Sequence, residues 1–107
     1  MALKHFLLTY DAVADYATQR TPWRSEHLGL ARAAQQRGDL VLAGGLADPV
    51  DGSVFLFQGE SAAVAEAFAQ ADPYVREGLV LRWRVREWTT VVGDLALQPL
   101  PPPSSGT

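Results

Sequence analysis

Apolar and polar positions fall into blocks along the chain, and the period changes from block to block. Leu3 to Tyr10 is a short apolar and aromatic run closed by Asp11, which predicts a first strand. Residues 11–21 are mixed: Tyr16, Ala17 and Gln19 suit one helical turn, which Thr21-Pro22 interrupts. Thr21 then predicts a helix N-cap with Pro22 at the first helical position, and the helix runs to about Arg37 before Gly38 ends it. His27, Leu30, Ala31 and Ala34 recur at helical spacing. His27 therefore lies on or beside the core-facing stripe, with Arg24 one turn before it.

Leu40-Val41-Leu42-Ala43 predicts a buried strand ending in Gly44-Gly45. Ser53 to Gln58 is its return strand, and the turn chemistry of Asp48-Pro49-Val50-Asp51-Gly52 makes the two a hairpin with a loop longer than two residues. Ser61 predicts the cap of a second helix with Val64, Ala67, Phe68 and Ala71 as its apolar stripe. That helix ends near Asp72-Pro73, because proline disfavours helical geometry in the residue before it. Leu79 to about Val92 is the last strand, with Leu79, Leu81, Trp83 and Val85 on one side and Val80, Arg82, Arg84, Arg86 and Trp88 on the other. Beyond it the prolines from Pro99 onward and Ser104-Ser105-Gly106 predict a flexible tail, so the domain is set at residues 1–92 and the tail at 93–107.

The resulting β-α-β-β-α-β order is the split βαβ, or ferredoxin-like, unit of the α+β class. It predicts a four-stranded antiparallel sheet with two helices on one face. The chain supplies no cover for the other face, and a second sheet from a partner subunit is the expected cover.

Composition narrows the function. A chain of 107 residues fits one domain with a modest core. The formal net charge of -3 weighs against a nucleic-acid partner. The absence of cysteine excludes disulfides, thiolate zinc sites and thiol nucleophiles, and suits a reducing compartment. No segment approaches the roughly 18 apolar residues of a membrane span, and Met1 to Phe6 lacks the features of a signal peptide. A cytoplasmic protein with no membrane partner is expected. His5 and His27 are the only histidines and have no tight spacing to acidic residues, so no metal is called for. No Gly-rich loop opens a helix after a strand, so no nucleotide cofactor is called for either.

Four short motifs carry a family resemblance. Arg24-Ser25-Glu26-His27-Leu28 fits an R-x-x-H-L pattern, and Gly38 with Leu42-Ala43-Gly44-Gly45-Leu46 fits a "G … aGgl" second strand. Ala71-Asp72-Pro73-Tyr74 fits a D-P-Y turn, and Gly78-Leu79 leads into a long final strand. In this order and spacing they resemble the YciI-like (YCII-related) family over about residues 3–92. The resemblance implies a dimeric α+β-barrel fold, a homodimer, and an active site at a histidine and an aspartate, which by motif are His27 and Asp72. It leaves the reaction open, since one relative is a dehydrochlorinase acting on chlorinated hydroxyhydroquinone and the wider superfamily includes muconolactone isomerase and small monooxygenases.

Each candidate has a structural reading beside the functional one. His27 is either a satisfied core-edge histidine or a general acid/base, since an imidazole is the side chain suited to both taking and giving protons at neutral pH. Asp72 is either turn chemistry or the carboxylate that orients His27. Arg24 is a surface cation or a clamp for an anionic substrate group, and Tyr74 is a packing residue or an oxyanion donor. Gly45, with Gly44, marks a bulge or a close backbone approach to a ligand. The row Arg82, Arg84 and Arg86 reads as a solvated face, an anion site or part of a dimer interface. The leading expectation is acid–base chemistry, namely proton abstraction, elimination or isomerisation, on a small anionic or aromatic substrate without an organic cofactor. The alternatives are a non-catalytic dimeric ligand-binding or assembly module and, more remotely, a cofactor-free oxygenase.

Overall fold

A computed structural model describes residues 2–101. Strand β1 (Lys4–Ala12) leads into a one-turn helix α1 (Tyr16–Gln19), a 3-10 turn (Thr21–Trp23) and the long helix α2 (Arg24–Gln36). The hairpin β2 (Leu40–Gly45) and β3 (Gly52–Gly59) follows, then helix α3 (Ala63–Ala71), a second one-turn helix α4 (Pro73–Arg76) and strand β4 (Val80–Trp88). The strands form one sheet in the order β2-β3-β1-β4, and every neighbouring pair is antiparallel. This is the α+β, ferredoxin-like architecture that the periodicity predicts.

The core lies between the sheet and the helices. Alternation along β1 turns Phe6, Leu8 and Tyr10 to the helical side, opposite Phe57, Phe55 and Ser53 of β3. Helix α2 contributes Ala34 and His27, and α3 contributes Ala65, Phe68 and Ala69. Burying each large side chain here contributes about 1.5–3 kcal/mol. The contact between β1 and β3 is so close that a Cβ at Gly52 would collide with the Tyr10 carbonyl oxygen.

Five local expectations need correction. Thr21 opens the 3-10 turn and makes no side-chain cap; α2 starts at Arg24, with Pro22 in the preceding turn, where its missing N–H is not needed. Ser61 accepts from Ala63 N–H at 3.3 Å, but the residue at the N-cap of α3 is Ala62. The buried stripe of α3 is Ala65, Phe68 and Ala69, while Ala67 and Ala71 are exposed. Phe68 is compatible with either stripe, and the small Ala65 and Ala69 let the helix seat close to the sheet. Strand β2 is an edge strand with only Leu40 buried, and Leu42 is 69% exposed.

The last correction concerns β4. The strand ends at Trp88, and its pairing with β1 shifts between Asp11 and Ala12, which face Arg82 and Val80. Leu81 is the extra residue of that irregularity and is 71% exposed, while Val80 turns inward beside Leu79. A bulge reverses the in–out parity on its two sides, so strict alternation misassigns Leu81 and Val80 but orders Trp83, Val85 and the arginine row correctly.

The second sheet face carries Leu7, Val54, Leu56 and Trp88, with Leu42 beside them on the edge strand. Arg82, Arg84 and Arg86 lie on the same face, and Arg82 pairs with Asp11 at 3.0 Å. No helix among the described residues is long and apolar enough to cross a membrane.

After β4 the chain folds back on itself. Gln98 and Leu100 N–H donate to the carbonyls of Thr90 and Val91, and Leu97 N–H donates to Thr90 Oγ1. Thr90 Oγ1 also lies 2.7 Å from His5 Nδ1, which seals His5 against the sheet. Of the tail expected over 93–107, residues 102–107 lie outside the described residues.

Burial holds the His5 imidazole below its ordinary value of 6.5. The unfolded chain therefore binds this proton more readily than the folded one. The His5 contribution to stability is complete above 6.5 and is lost as pH falls towards the lower folded value. Urea midpoints measured across that range should fall with acidification in the native chain, and His5→Gln should flatten the slope. An unchanged slope in the variant would assign the effect to another group.

Candidate active site

Asp72 ends α3 and starts α4, so its side chain sits where two helical elements meet. Extended geometry before Pro73 releases it from the helix, and its carboxylate accepts from Tyr74 N–H at 3.0 Å as the N-cap of α4. It is also the next position of the buried α3 stripe after Phe68 and Ala69, and it is fully enclosed.

That enclosure brings Asp72 against α2 and β1. His27 Nδ1 lies 2.9 Å from both carboxylate oxygens. Tyr10 donates its hydroxyl to Asp72 Oδ2 at 2.7 Å. A buried carboxylate needs this number of donors, because lost hydration is not otherwise replaced. Burial pushes the Tyr10 phenol far above its usual range, and the adjacent Asp72 charge and hydrogen bond push it the same way. Tyr10 thus remains a donor.

The imidazole is held on its faces and edges. It stacks on Tyr74 with ring centroids 3.9 Å apart and 8° between planes, and it meets Phe55 and Phe68 edge-on at 6.0 and 6.2 Å. An Nδ1–H directed at Asp72 leaves Nε2 as the lone-pair nitrogen. Nε2 has no protein partner among the described residues, and it is not among their buried unpartnered atoms. His27 is 8% exposed, and that exposure includes Nε2. Outside this contact, Arg76 of α4 bonds both carboxylate oxygens of Glu26 on α2, at 3.2 and 3.3 Å, and so ties together the elements that bear Asp72 and His27.

The other sequence candidates are arranged around this pair. Tyr74 belongs to it through its ring and its N–H, yet its hydroxyl is buried without a partner among the described residues, a cost of about 1–3 kcal/mol. Burial raises the Tyr74 phenol, Tyr16 adds to the rise, and Arg24 and Arg20 oppose it. Arg24 is exposed at the start of α2 and contacts neither His27 nor Asp72 by hydrogen bond or ion pair among the described residues. Gly45 ends β2, away from the pair, and a Cβ there would have Arg20 Nη1 at 3.9 Å.

Tyr10, Tyr16 and Arg20 were not among the sequence candidates. The missed signal in Tyr10 is a hydroxyl on the core-facing side of a strand, which must find a partner inside. Neither His27 nor Asp72 lines any of the larger surface clefts described. The cleft between α2 and β2, of about 300 Å³, starts at the adjacent Leu28. No group of three or more acidic or histidine side chains that could hold a metal occurs among the described residues.

Comparison with known proteins agrees with this architecture. The sequence profile of the YCII-related domain matches residues 3–89. The chain belongs to the YCII-related family. No curated protein sequence matches this YCII-related chain. Among solved structures it is similar to the 5-chloro-2-hydroxyhydroquinone dehydrochlorinase from Burkholderia phenoliruptrix AC1100, in complex with 2,5-dihydroxybenzoquinone. That match has a TM-score of 0.68 at 19% identity and covers 80% of this chain and 94% of that one. An uncharacterized NIPSNAP-like domain protein from Burkholderia xenovorans matches with a TM-score of 0.58 at 18% identity, covering 94% and 96%. A NIPSNAP family protein from Agrobacterium tumefaciens matches with a TM-score of 0.56 at 13% identity, covering 88% and 96%. At these identities the YCII-related chain shares a fold with these proteins, and its chemistry rests on its own residues.

Proposed function

We propose that this YCII-related protein is a small-molecule enzyme in which His27 Nε2 is the general acid/base and Asp72 orients the ring. The observation that carries the reading is the 2.9 Å contact between His27 Nδ1 and a fully enclosed carboxylate, with Nε2 left unengaged. A carboxylate on Nδ1 selects one tautomer and stabilises the imidazolium that forms when Nε2 takes a proton. The reaction class is proton abstraction, elimination or isomerisation on a small anionic or aromatic substrate. In an elimination, the C–H proton moves to Nε2, its electron pair becomes the new double bond, and the leaving group departs with its own pair. No electron acceptor takes part. The dehydrochlorinase of similar fold supports trying chlorinated hydroxyhydroquinones first.

The same reading includes a homodimer. Leu7, Val54, Leu56, Leu42 and Trp88 form an open apolar depression on the sheet face without helices, with Leu42 69% and Trp88 49% exposed. A second copy packing its equivalent face there removes this surface from water. Sedimentation should give a dimer at micromolar concentration, and Leu56→Lys should give a monomer. A monomeric native chain would sink the dimer.

The second reading, a non-catalytic ligand-binding or assembly module, draws on the absence of His27 and Asp72 from the clefts described. Chloride release from 5-chloro-2-hydroxyhydroquinone, followed by a screen of small acids and phenols, separates the two. Turnover that disappears in His27→Ala supports the enzyme, and turnover equal in the variant removes His27 from the chemistry.

A further inference from the structure

The two oxygens of the Asp72 carboxylate are held from two different elements. Oδ1 accepts from the Tyr74 N–H of α4 at 3.0 Å, and Oδ2 accepts from the Tyr10 hydroxyl of β1 at 2.7 Å. His27 Nδ1 lies at the same 2.9 Å from each oxygen, so the imidazole is shared evenly between them. That evenness needs a cause, because the last torsion of an aspartate side chain is broad and the carboxylate turns easily about it. The anchor at Oδ1 comes with the α4 cap and leaves the carboxylate plane free to swing about that point. A second anchor, at Oδ2, fixes the plane. Tyr10 supplies it from the middle of the sheet: β1 is an inner strand, Tyr10 is enclosed, and its ring meets Phe55 edge-on at 4.8 Å.

We infer that Tyr10 is a positioning residue for His27: its hydroxyl fixes the Asp72 carboxylate with both oxygens towards Nδ1 and competes with the imidazole for Oδ2. This deepens the acid–base reading of His27 and rests on it for any effect on turnover. Tyr10 acts only through Asp72, since its single side-chain hydrogen bond ends on Oδ2. The fixed plane sets the direction of the Nδ1–H bond, and stacking on Tyr74 sets the plane of the ring, so Nε2 keeps one aim. The competition has its own effect. A carboxylate that serves three donors offers each of them less charge than one that serves two. The Nδ1–H bond is therefore spread over two oxygens that are each already in use, and the ring is held without being pulled onto either one.

Proton NMR of the full chain tests the assignment without a substrate, on the His27 Nδ1–H resonance, which His27→Gln identifies by its loss. In Tyr10→Phe the carboxylate loses one donor and can turn one oxygen to the ring. The bond tightens, and the resonance should move downfield. Replacing Tyr10 with a ring-fluorinated tyrosine makes a stronger donor of nearly the same shape, and the resonance should move upfield. The fluorinated protein keeps the hydroxyl, so it decides the question even where Tyr10→Phe does not fold. A Tyr10 that serves packing alone would lower the urea midpoint as phenylalanine yet leave the resonance in place in both proteins. That result overturns the assignment, as does a shift of the same sign in both. Turnover is read separately, on a substrate from the screen. Tyr10→Phe should lower kcat by up to about 10²-fold and leave KM near its native value, since Tyr10 meets no substrate. An unchanged kcat overturns the positioning role. Resonances that move as expected in a chain with no turnover at all support the hold of Tyr10 on the ring and remove only the acid–base reading.

Discussion

Asp72→Ala is expected to destabilise the protein by about 3–5 kcal/mol, the combined loss from buried donors left unpaired and a missing helix cap. Asp72 is fully enclosed and accepts from three groups that belong to three different elements: His27 on α2, Tyr10 on β1 and Tyr74 N–H on α4. Alanine supplies no acceptor, and the imidazole it strands is packed against Phe55, Phe68 and Tyr74. Two of the stranded donors, on Tyr10 and Tyr74, are themselves buried, each carrying a cost of about 1–3 kcal/mol when unpaired. The variant also loses the cap of α4. Asp72→Asn keeps the shape and one carbonyl acceptor, so it should fall between the native chain and alanine. Urea unfolding measures the series. An Asp72→Ala variant within about 1 kcal/mol of the native chain would mean that the three contacts contribute little, as at an ordinary surface position.

The second large effect is on turnover. In Asp72→Asn the amide oxygen can keep Tyr74 N–H, and the amide nitrogen then faces Tyr10 and His27. An N–H directed at Nδ1 makes Nδ1 the acceptor and moves the ring proton to Nε2. The nitrogen open to substrate then has no lone pair to offer. Turnover should fall by about 10²–10⁴-fold, the range that positioned acid–base catalysis contributes. His27→Ala should lose a similar amount, and the double variant should be little worse than either single one, because the two residues act as a unit. Single-turnover rates on whichever substrate the screen yields check this. The pattern separates a catalytic pair from a structural one: folded Asp72→Asn and His27→Ala proteins with native rates would leave His27 and Asp72 as core residues only.

His27 appears in the sequence as one apolar-stripe position of a helix, and Asp72 as the residue before a proline. Only the YCII-related motifs joined them. The 2.9 Å contact spans 45 residues of chain, and it exists because α2 and the α3–α4 corner pack on the same sheet face. Tyr10 looks like one more alternating strand residue until that packing places a carboxylate against its hydroxyl. Arg20 lies in the mixed stretch between β1 and α2, where no periodicity singles out one side chain, and its position over Tyr16 depends on how α1 folds back against the sheet.

By itself, then, the sequence determined the element order, the antiparallel four-stranded sheet and the outward arginine row, because those follow from local periods of two and 3.6 residues and from proline and glycine stops. Tertiary structure decided which of two compatible stripes α3 buries, that β2 is an exposed edge, and that the bulge at Leu81 reverses the parity of β4. It also brought His27, Tyr10 and Tyr74 together around the enclosed Asp72 carboxylate. The physical reason is the same in each case. Period and caps act over neighbours in the chain, whereas hydrogen-bond partners, desolvation and register are settled between segments that meet only when the core closes.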